Sequence, residues 1–360
     1  MPNWNLPWFP EWNKKNPTDV YGPAIVIGAA MGGLVVASVI MLYGSAYGTT
    51  SQQTGPRGSG MTVPEFNSDL AAGDASVQDY MTSAPIVPEA GAPLAKDAIE
   101  NAEPLLGNLT VDNYERLVTA MRGWTGIPEL LNGDDNYQND VAKRMIQMTW
   151  NLNENWDGHV GDSGVNCYTC HRGEPVPSGV WFKIAPGLEA MEGWSANQNL
   201  ATAQSVSTSL PHDALEKLLL EDGRISVHDL EPRVPGVPGQ GDLASIQDTE
   251  RTYSLMNYFA NSLGVNCTFC HNTRAFYDGE QITPQWATAS LGIEMVREMN
   301  NEYLIPLGDV LPDNRLGPKH GDAPKAACLT CHKGYQKPVG GMEMLADWPE
   351  LASEDAPEYE

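Results

Sequence analysis

The chain has few basic residues for its length and no spare cysteine. Its 360 residues include 21 Lys and Arg against 46 Asp and Glu, so the formal net charge is −25. This shortage of cations argues against nucleic-acid binding, because neutralising phosphates requires Lys and Arg, and it favours a basic partner. Hydrophobic residues make up 41% of the chain, which excludes wholesale disorder, and 35 Gly and 27 Pro favour a loop-rich architecture.

All six cysteines fall in three copies of one pentapeptide. The copies are Cys167-Tyr-Thr-Cys170-His171, Cys267-Thr-Phe-Cys270-His271 and Cys328-Leu-Thr-Cys331-His332. C-x-x-C-H is the attachment signature of c-type haem, in which both thiols bond to the haem and the histidine becomes the proximal iron ligand. Zinc knuckles and disulfides are the alternatives, but zinc requires C-x-x-C pairs at short spacing. The pattern predicts three covalently bound haem c groups in a domain outside the cytoplasmic membrane.

A single long uncharged run, residues 24–43, is apolar enough to span a bilayer as one helix. A secretory signal has a shorter apolar region, and no cysteine lies nearby to carry a lipoprotein anchor. Lys14 and Lys15 precede the run, which favours a cytoplasmic N-terminus. Haem attachment independently requires the C-terminal part to be periplasmic.

These features divide the chain into five expected segments and predict a mainly α fold. The haem domain is built from repeated units of helix, loop and haem motif, is loop-rich, and follows one N-terminal transmembrane helix. The expected segments are a cytoplasmic or interfacial segment with Trp4, Trp8 and Trp12 (1–21), the transmembrane helix (22–47), an extended strap (48–104), the periplasmic trihaem domain (105–351) and an acidic tail (352–360).

Two haem motifs are preceded by the same short sequence. Gly164-Val-Asn-Cys167 recurs as Gly264-Val-Asn-Cys267. Apolar residues at helical spacing predict helices over 139–153 and 245–263 before these two motifs, the second opening with a capping box from Ser245 to Asp248. A third helix is predicted over 291–303, before the third motif.

Each iron needs a sixth ligand, or an open position if the protein is a haem enzyme. Met145 and Met256 lie on the predicted helices before the first and second motifs, and Met148 competes with Met145. The third motif has no methionine at similar spacing. Outside the motifs the candidate histidines are His159, His212, His228 and His320. His159 lies too close in sequence to Cys167 to serve that haem easily, but it could serve a neighbouring one.

Several stretches between about residues 105 and 351 form a long, ordered set. They are Leu106-Gly-Asn-Leu-Thr110, Ala142-Lys-Arg-Met-Ile-Gln-Met148, Asn155-Trp156 with His159, Gly164 to Gly173, Gln247-Asp-Thr-Glu250, Arg315-Leu-Gly317 and Gly321-Asp-Ala-Pro-Lys325. In these stretches the chain resembles the cytochrome c subunit of purple-bacterial photosynthetic reaction centres.

The resemblance implies a set of iron ligands. Met145 would be the distal ligand of the haem whose proximal ligand is His171, and Met256 that of the haem bound by His271. His159 would cross to the third haem, attached at Cys328 and Cys331, and pair with His332.

The chain departs from the family in one stretch. The family commonly has four haems, with an extra motif before the first one present here. Residues 130–135 contain no Cys or His, and Val118 stands where the family's methionine ligand is expected. The resemblance therefore implies a three-haem variant.

The resemblance also implies an electron carrier and not an enzyme. It would pass electrons from a soluble or anchored periplasmic carrier through three haems to the photo-oxidised bacteriochlorophyll special pair. The alternative is a membrane-anchored multihaem cytochrome of a respiratory quinol-linked reductase. Such proteins usually use bis-histidine ligation at low potential, whereas two Met/His irons indicate high potentials.

Expected partners are the reaction-centre core, the light-harvesting antenna and a basic cytochrome c donor, in a single-pass protein of the photosynthetic inner membrane. The family layout places the Cys267 haem nearest the special pair, then the Cys328 haem, then the Cys167 haem. The donor is expected at the Cys167 end, where the sequence is acidic: Asp134, Asp135, Asp140, Asp157, Asp162 and Glu174.

Overall fold

The computed structural model describes residues 21–43, 48–53, 62–68, 79–184, 200–225, 244–276 and 278–359, so Trp4, Trp8, Trp12 and His228 lie outside the described residues. Within the described ranges the chain is mainly helical with one two-stranded sheet, which confirms the predicted fold class. The strands are β1 (Thr49–Gln53) and β2 (Thr62–Phe66). The helices are α1 (Tyr21–Tyr43), α2 (Ala95–Ala98), α3 (Val111–Thr125), α4 (Tyr137–Asn155), α5 (Asp157–Val160), α6 (Cys167–His171), α7 (Ala214–Leu219), α8 (Ile246–Leu263), α9 (Pro284–Glu298) and α10 (Cys328–His332).

Helix α1 is apolar along its length. The stretch Ala24–Leu42 has a mean hydropathy of 2.5, and every side chain in it is exposed. Its 19 residues span about 28 Å at 1.5 Å per residue, close to the thickness of a hydrocarbon core. Helix α1 belongs to one compact unit together with residues 48–50 and 64–68, and the described residues from 79 onward belong to a second.

Two buried apolar clusters hold the second unit together. In the first, the Trp124 ring is stacked on Tyr80 at a centroid distance of 5.8 Å and meets Trp348 edge-on at 4.7 Å. The second cluster is formed by α7, α8 and α9 and includes Leu219 and Leu255, both fully buried. Haem motifs lie against both clusters: Cys167 belongs to the first, and Cys328 packs against the second.

A buried ion pair fastens the C-terminal segment to α3. The Arg116 guanidinium pairs with the Glu350 carboxylate, whose side chain is fully buried, and lies 4.3 Å from the centre of the Trp348 ring. It also donates to the backbone carbonyls of Ser83 and Asp347, both at 2.6 Å. One side chain therefore joins three segments that are distant in sequence.

Two long helices end in the same way beside a haem motif. Helix α3 ends at Gly126 (φ 64°), where a Cβ would lie 2.2 Å from the Gly173 carbonyl oxygen. Helix α8 ends at Gly264 (φ 65°), where a Cβ would lie 2.0 Å from the Gly334 carbonyl oxygen. Glycine fits both junctions because the backbones approach so closely and because φ is positive. Helix α3 is thereby seated beside the first motif and α8 beside the third.

The predicted helices before the motifs are present with extended bounds. Helix α4 contains the predicted stretch 139–153, and the capping box between Ser245 and Asp248 is confirmed. The third helix begins earlier than expected, at Pro284, and continues after Glu298 as a π-helical turn over Met299–Leu304.

The repeated Gly-Val-Asn-Cys sequence does not have one backbone structure. Gly264 caps α8 directly with ψ 28°, whereas Gly164 follows a separate turn with ψ −174°. The first motif forms the helix α6, whereas Cys267–Phe269 forms a single 3-10 turn. The predicted order of helix, loop and short motif helix is present at the first motif. At the second, only residues 264–266 separate α8 from a 3-10 turn.

Candidate functional site

One continuous cavity of about 750 Å³ is lined by all three C-x-x-C-H motifs. The cavity brings together every residue that the family resemblance assigned to the three iron sites, and the competing Met148. These are the six cysteines, the histidines His171, His271, His332 and His159, and the methionines Met145, Met148 and Met256. Its other walls are largely aliphatic and aromatic side chains, such as Val141, Leu152 and Phe259. An apolar pocket with convergent polar groups is typical of a cofactor site.

Four histidine rings in the cavity are oriented in the same manner. In each ring Nδ1 is bonded to a backbone carbonyl oxygen: His159 to Thr288 at 2.8 Å, His171 to Glu174 at 2.9 Å, His271 to Phe276 at 2.7 Å and His332 to Tyr335 at 3.0 Å. A carbonyl can only accept, so Nδ1 carries the proton and Nε2 keeps its lone pair. This is the tautomer and the second contact by which proteins orient histidine ligands to metals.

His159 and His332 face each other across the cavity although they are far apart in sequence. Their ring centroids lie 6.2 Å apart, with an angle of 72° between the planes. Metal–imidazole bonds are about 2 Å long, so this separation has room for one metal ion between the two rings. Burial lowers the pKa of His159 and lowers the pKa of His332 to about 4, which keeps both rings neutral, the form that binds metals.

The close approach of His159 to α9 depends on Gly292. A Cβ at position 292 would lie 2.4 Å from Cε1 of the His159 ring and 2.7 Å from its Nδ1. The carbonyl that orients the ring belongs to Thr288, one turn earlier on the same helix. The ring thus rests on the backbone of α9 and is held there by a hydrogen bond.

Local hydrogen bonds shape the motifs themselves. The side chain of Asn166 accepts from the N–H of Tyr168 at 3.0 Å, and that of Asn266 accepts from Thr268 at 3.0 Å. In the first motif the N–H of Asn166 donates to the Thr169 hydroxyl at 3.1 Å. Ala327 and Thr330 repeat this last bond at 3.0 Å in the third motif. The bonds lie at the start of each motif, and the cysteines and histidine that follow line the cavity.

The other described histidine candidates, His212 and His320, line a different cavity from His159. His212 is buried and immediately precedes Asp213, the N-cap of α7, and His320 is exposed. Both line a second cavity of about 260 Å³ beside Trp181.

The cysteines of the three motifs are free thiols in this structure. All six cysteines lie within the described ranges and are unpaired, so no disulfide joins them. In those ranges no group of three His, Cys, Asp or Glu side chains is arranged to hold a bare metal ion. The thiols, the oriented imidazoles and the apolar walls do fit haem c, which needs two thiols and axial donors at each attachment site.

Sequence reasoning missed Gly292 and the carbonyl of Thr288, because no local pattern marks a residue that supports a ligand from another helix. It also passed over a visible signal. The first and third motifs both read C-x-T-C-H, and in both the threonine hydroxyl accepts from the residue before the first cysteine.

Comparison with known proteins gives a consistent result. The family model described as photosynthetic reaction centre cytochrome C subunit matches residues 46–352. The photosynthetic reaction center cytochrome c subunit of Roseobacter denitrificans is 56% identical over 98% of this chain and 99% of that protein. The subunits of the same name from Rubrivivax gelatinosus and Thermochromatium tepidum are 37% and 36% identical, over 83% and 88% of this chain and 82% and 79% of those proteins.

Proposed function

Because the chain belongs to the family of photosynthetic reaction-centre cytochrome c subunits, we propose that it re-reduces the photo-oxidised special pair of the reaction centre. Electrons reach it from a soluble or anchored periplasmic carrier. The observation that carries the proposal is the single cavity lined by all three attachment motifs and by four histidines with oriented rings. Haem c, when bound, supplies a one-electron couple whose potential depends on its axial ligands.

The residues of this chain would hold three haem c groups, each of which would supply a one-electron couple. Cys167 and Cys170 would attach the first, with His171 and Met145 as iron ligands. Cys267 and Cys270 would attach the second, with His271 and Met256. Cys328 and Cys331 would attach the third, with His332 and His159. Support for the third pair comes from the 6.2 Å separation of its rings, and support for the methionines from their place in the cavity wall.

The count of three is supported by the packing around α3. Val118, the residue in place of the family's methionine ligand, is 4% exposed. It belongs to the same buried cluster as Met121, Leu130 and Leu131. The segment that would carry a further motif instead contributes leucines to an apolar core.

With these ligands no iron would keep an open coordination position for catalysis, so the chain would be an electron carrier and not an enzyme. Carbon monoxide should therefore bind none of the three irons without denaturation.

Helix α1 anchors the chain as a single-pass protein of the photosynthetic inner membrane. On the N-terminal side of α1 (Tyr21–Tyr43) the chain is cytoplasmic or interfacial, and on its C-terminal side lies the periplasmic haem domain (105–351) with the acidic tail (352–360). Residues 44–47 of the expected span lie outside the described residues. The length and uninterrupted apolarity of α1 support this arrangement. The partners are the reaction-centre core and, around it, the light-harvesting antenna.

A basic cytochrome c donor docks at the Cys167 end of the domain. All six acidic residues predicted there are exposed: Asp134, Asp135, Asp140, Asp157, Asp162 and Glu174. The field of a chain with net charge −25 attracts a cationic partner and raises its encounter rate at low salt.

Flash spectroscopy of membranes with and without this subunit tests the proposal. With the subunit present, haem oxidation should follow the flash and the special pair should recover at the same rate. If the haems stay reduced while the pair recovers equally fast in both membranes, the proposed function is wrong.

A further inference from the structure

The residue that follows the proximal histidine differs in charge among the three motifs. It is Arg172 in the first, Asn272 in the second and Lys333 in the third. Arg172 and Lys333 both adopt the left-handed conformation, with φ 51° and 52°. Glycine is the residue best suited to such a position at a helix end, and a side chain costs roughly 1–2 kcal/mol there. A basic side chain is retained at both positions in a chain that is otherwise poor in cations.

Lys333 belongs to the third motif by sequence but is bound by the segment that follows the first. Its Nζ donates to the hydroxyl of Ser178 at 2.7 Å and to the Ser178 carbonyl at 3.3 Å. The neighbouring Gly179 packs against the backbone of α10, where a Cβ would lie 2.9 Å from the carbonyl carbon of Leu329. The Thr330 hydroxyl donates to the Gly179 carbonyl at 3.1 Å. The ammonium group is therefore fixed at the junction of two motifs.

The helices of the same two motifs, α6 and α10, are in contact at this junction. Cys170 and His171 of the first motif and Cys331 and His332 of the third line one cavity. Lys333 itself is half-buried, and a partly buried charge is less screened by salt than a fully exposed one.

We propose that Lys333 is a shared tuning residue. Its positive charge raises the midpoint potentials of two haems, those attached at Cys167 and Cys328. A fixed positive charge stabilises the reduced iron, which carries one positive charge fewer, against the oxidised iron. The inference rests on the three-haem assignment proposed above. Its consequence is largest for the His159/His332 site, whose two imidazoles otherwise favour ferric iron.

A redox titration of the purified reaction-centre complex tests the inference, because it measures each haem at equilibrium and not electron-transfer activity. In Lys333→Met the Cys167 and Cys328 haems should be easier to oxidise. Their one-electron equilibrium constants should shift toward the oxidised form by roughly threefold to tenfold, and a tenfold shift is a midpoint potential lower by about 59 mV. The Cys267 haem should not move. Lys333→Arg, which keeps the charge, should leave all three potentials in place.

Two further variants test whether the potential shifts come from the position of the Lys333 charge, from the net charge of the protein or from misfolding. Lys319→Met removes one charge from an exposed loop residue and should shift no haem. Asn272→Lys adds a cation beside the second motif and should raise the potential of the Cys267 haem alone, a gain that a misfolded protein cannot produce.

The outcomes separate this inference from the function on which it rests. If Lys333→Met shifts all three potentials equally, only one of them, or none, Lys333 is not a shared tuning residue, although three haems still titrate. If fewer than three haems titrate in the unaltered complex, the proposed assignment has failed instead.

Discussion

Adding one methyl group to α9 should disturb the ligation of a haem attached 36 positions later in the sequence. In Gly292→Ala the new Cβ would lie 2.4 Å from Cε1 of the His159 ring, whereas ordinary contacts begin near 3.4 Å. The ring must therefore withdraw by about 1 Å, the difference between these two distances. Its Nδ1 is bonded to the Thr288 carbonyl of the same helix at 2.8 Å, so withdrawal also strains that bond.

The size of the effect follows from the cost of overpacking. Extra methyl groups in a well-packed site cost about 1–3 kcal/mol, and each 1.4 kcal/mol is tenfold in an equilibrium constant. The binding of His159 to the Cys328 haem should therefore weaken by roughly 5- to 150-fold. The observable result is a high-spin fraction in one haem out of three, together with carbon monoxide binding at that haem only.

Visible spectra with and without carbon monoxide provide the assay on the purified complex. His159→Ala marks the spectrum of complete ligand loss, and Gly308→Ala is the matched control, because a Cβ there has no atom within 4 Å. The Cys167 haem should remain six-coordinate in all three variants. If His320→Ala produces the high-spin haem and His159→Ala does not, the ligand assignment is wrong.

Three further predictions concern other residues. Met145→His and Met256→His should each lower the midpoint potential of one haem, because imidazole stabilises ferric iron relative to a thioether, and an unchanged redox titration would reject that ligand. Joint replacement of Asp134 and Asp135 by Asn should slow re-reduction by a basic cytochrome at low ionic strength and have little effect at high salt; wild-type second-order kinetics at low salt would show that the donor enters elsewhere. Glu350→Ala leaves the buried Arg116 guanidinium without its carboxylate and should cost about 3–5 kcal/mol of unfolding free energy, seen as a lower thermal midpoint than that of the control Glu354→Ala, at an exposed position of the tail.

The sequence predicted the parts of this protein that depend on local patterns. Helix α1 follows from an uncharged apolar run, and α4 and α8 from apolar residues at helical spacing. The capping box at Ser245 is also local, because its two partners lie three residues apart. The attachment cysteines and proximal histidines follow from a pentapeptide whose chemistry requires that order.

Contacts between distant segments could not be predicted from such patterns. Ser178 and Lys333 are 155 residues apart, and no periodicity or motif relates them. The pairing of His159 with His332 was inferred through the family resemblance, since spacing alone left several histidines open. Even identical tetrapeptides diverge, because Gly264 caps a helix while Gly164 lies in an irregular turn. Helix ends are set by what packs against them, and that partner lies elsewhere in the chain.

The order in which the three haems are oxidised after a flash reveals the path of electrons to the special pair. Time-resolved absorption in membranes, with the haems assigned by their shifted bands in the Met145→His and Met256→His variants, measures that order. Electron transfer to the special pair from the site at Cys267 predicts that this haem is oxidised first and that the Cys167 haem is oxidised last. If the Cys167 haem is oxidised before the Cys267 haem, the proposed path of electrons to the special pair is wrong.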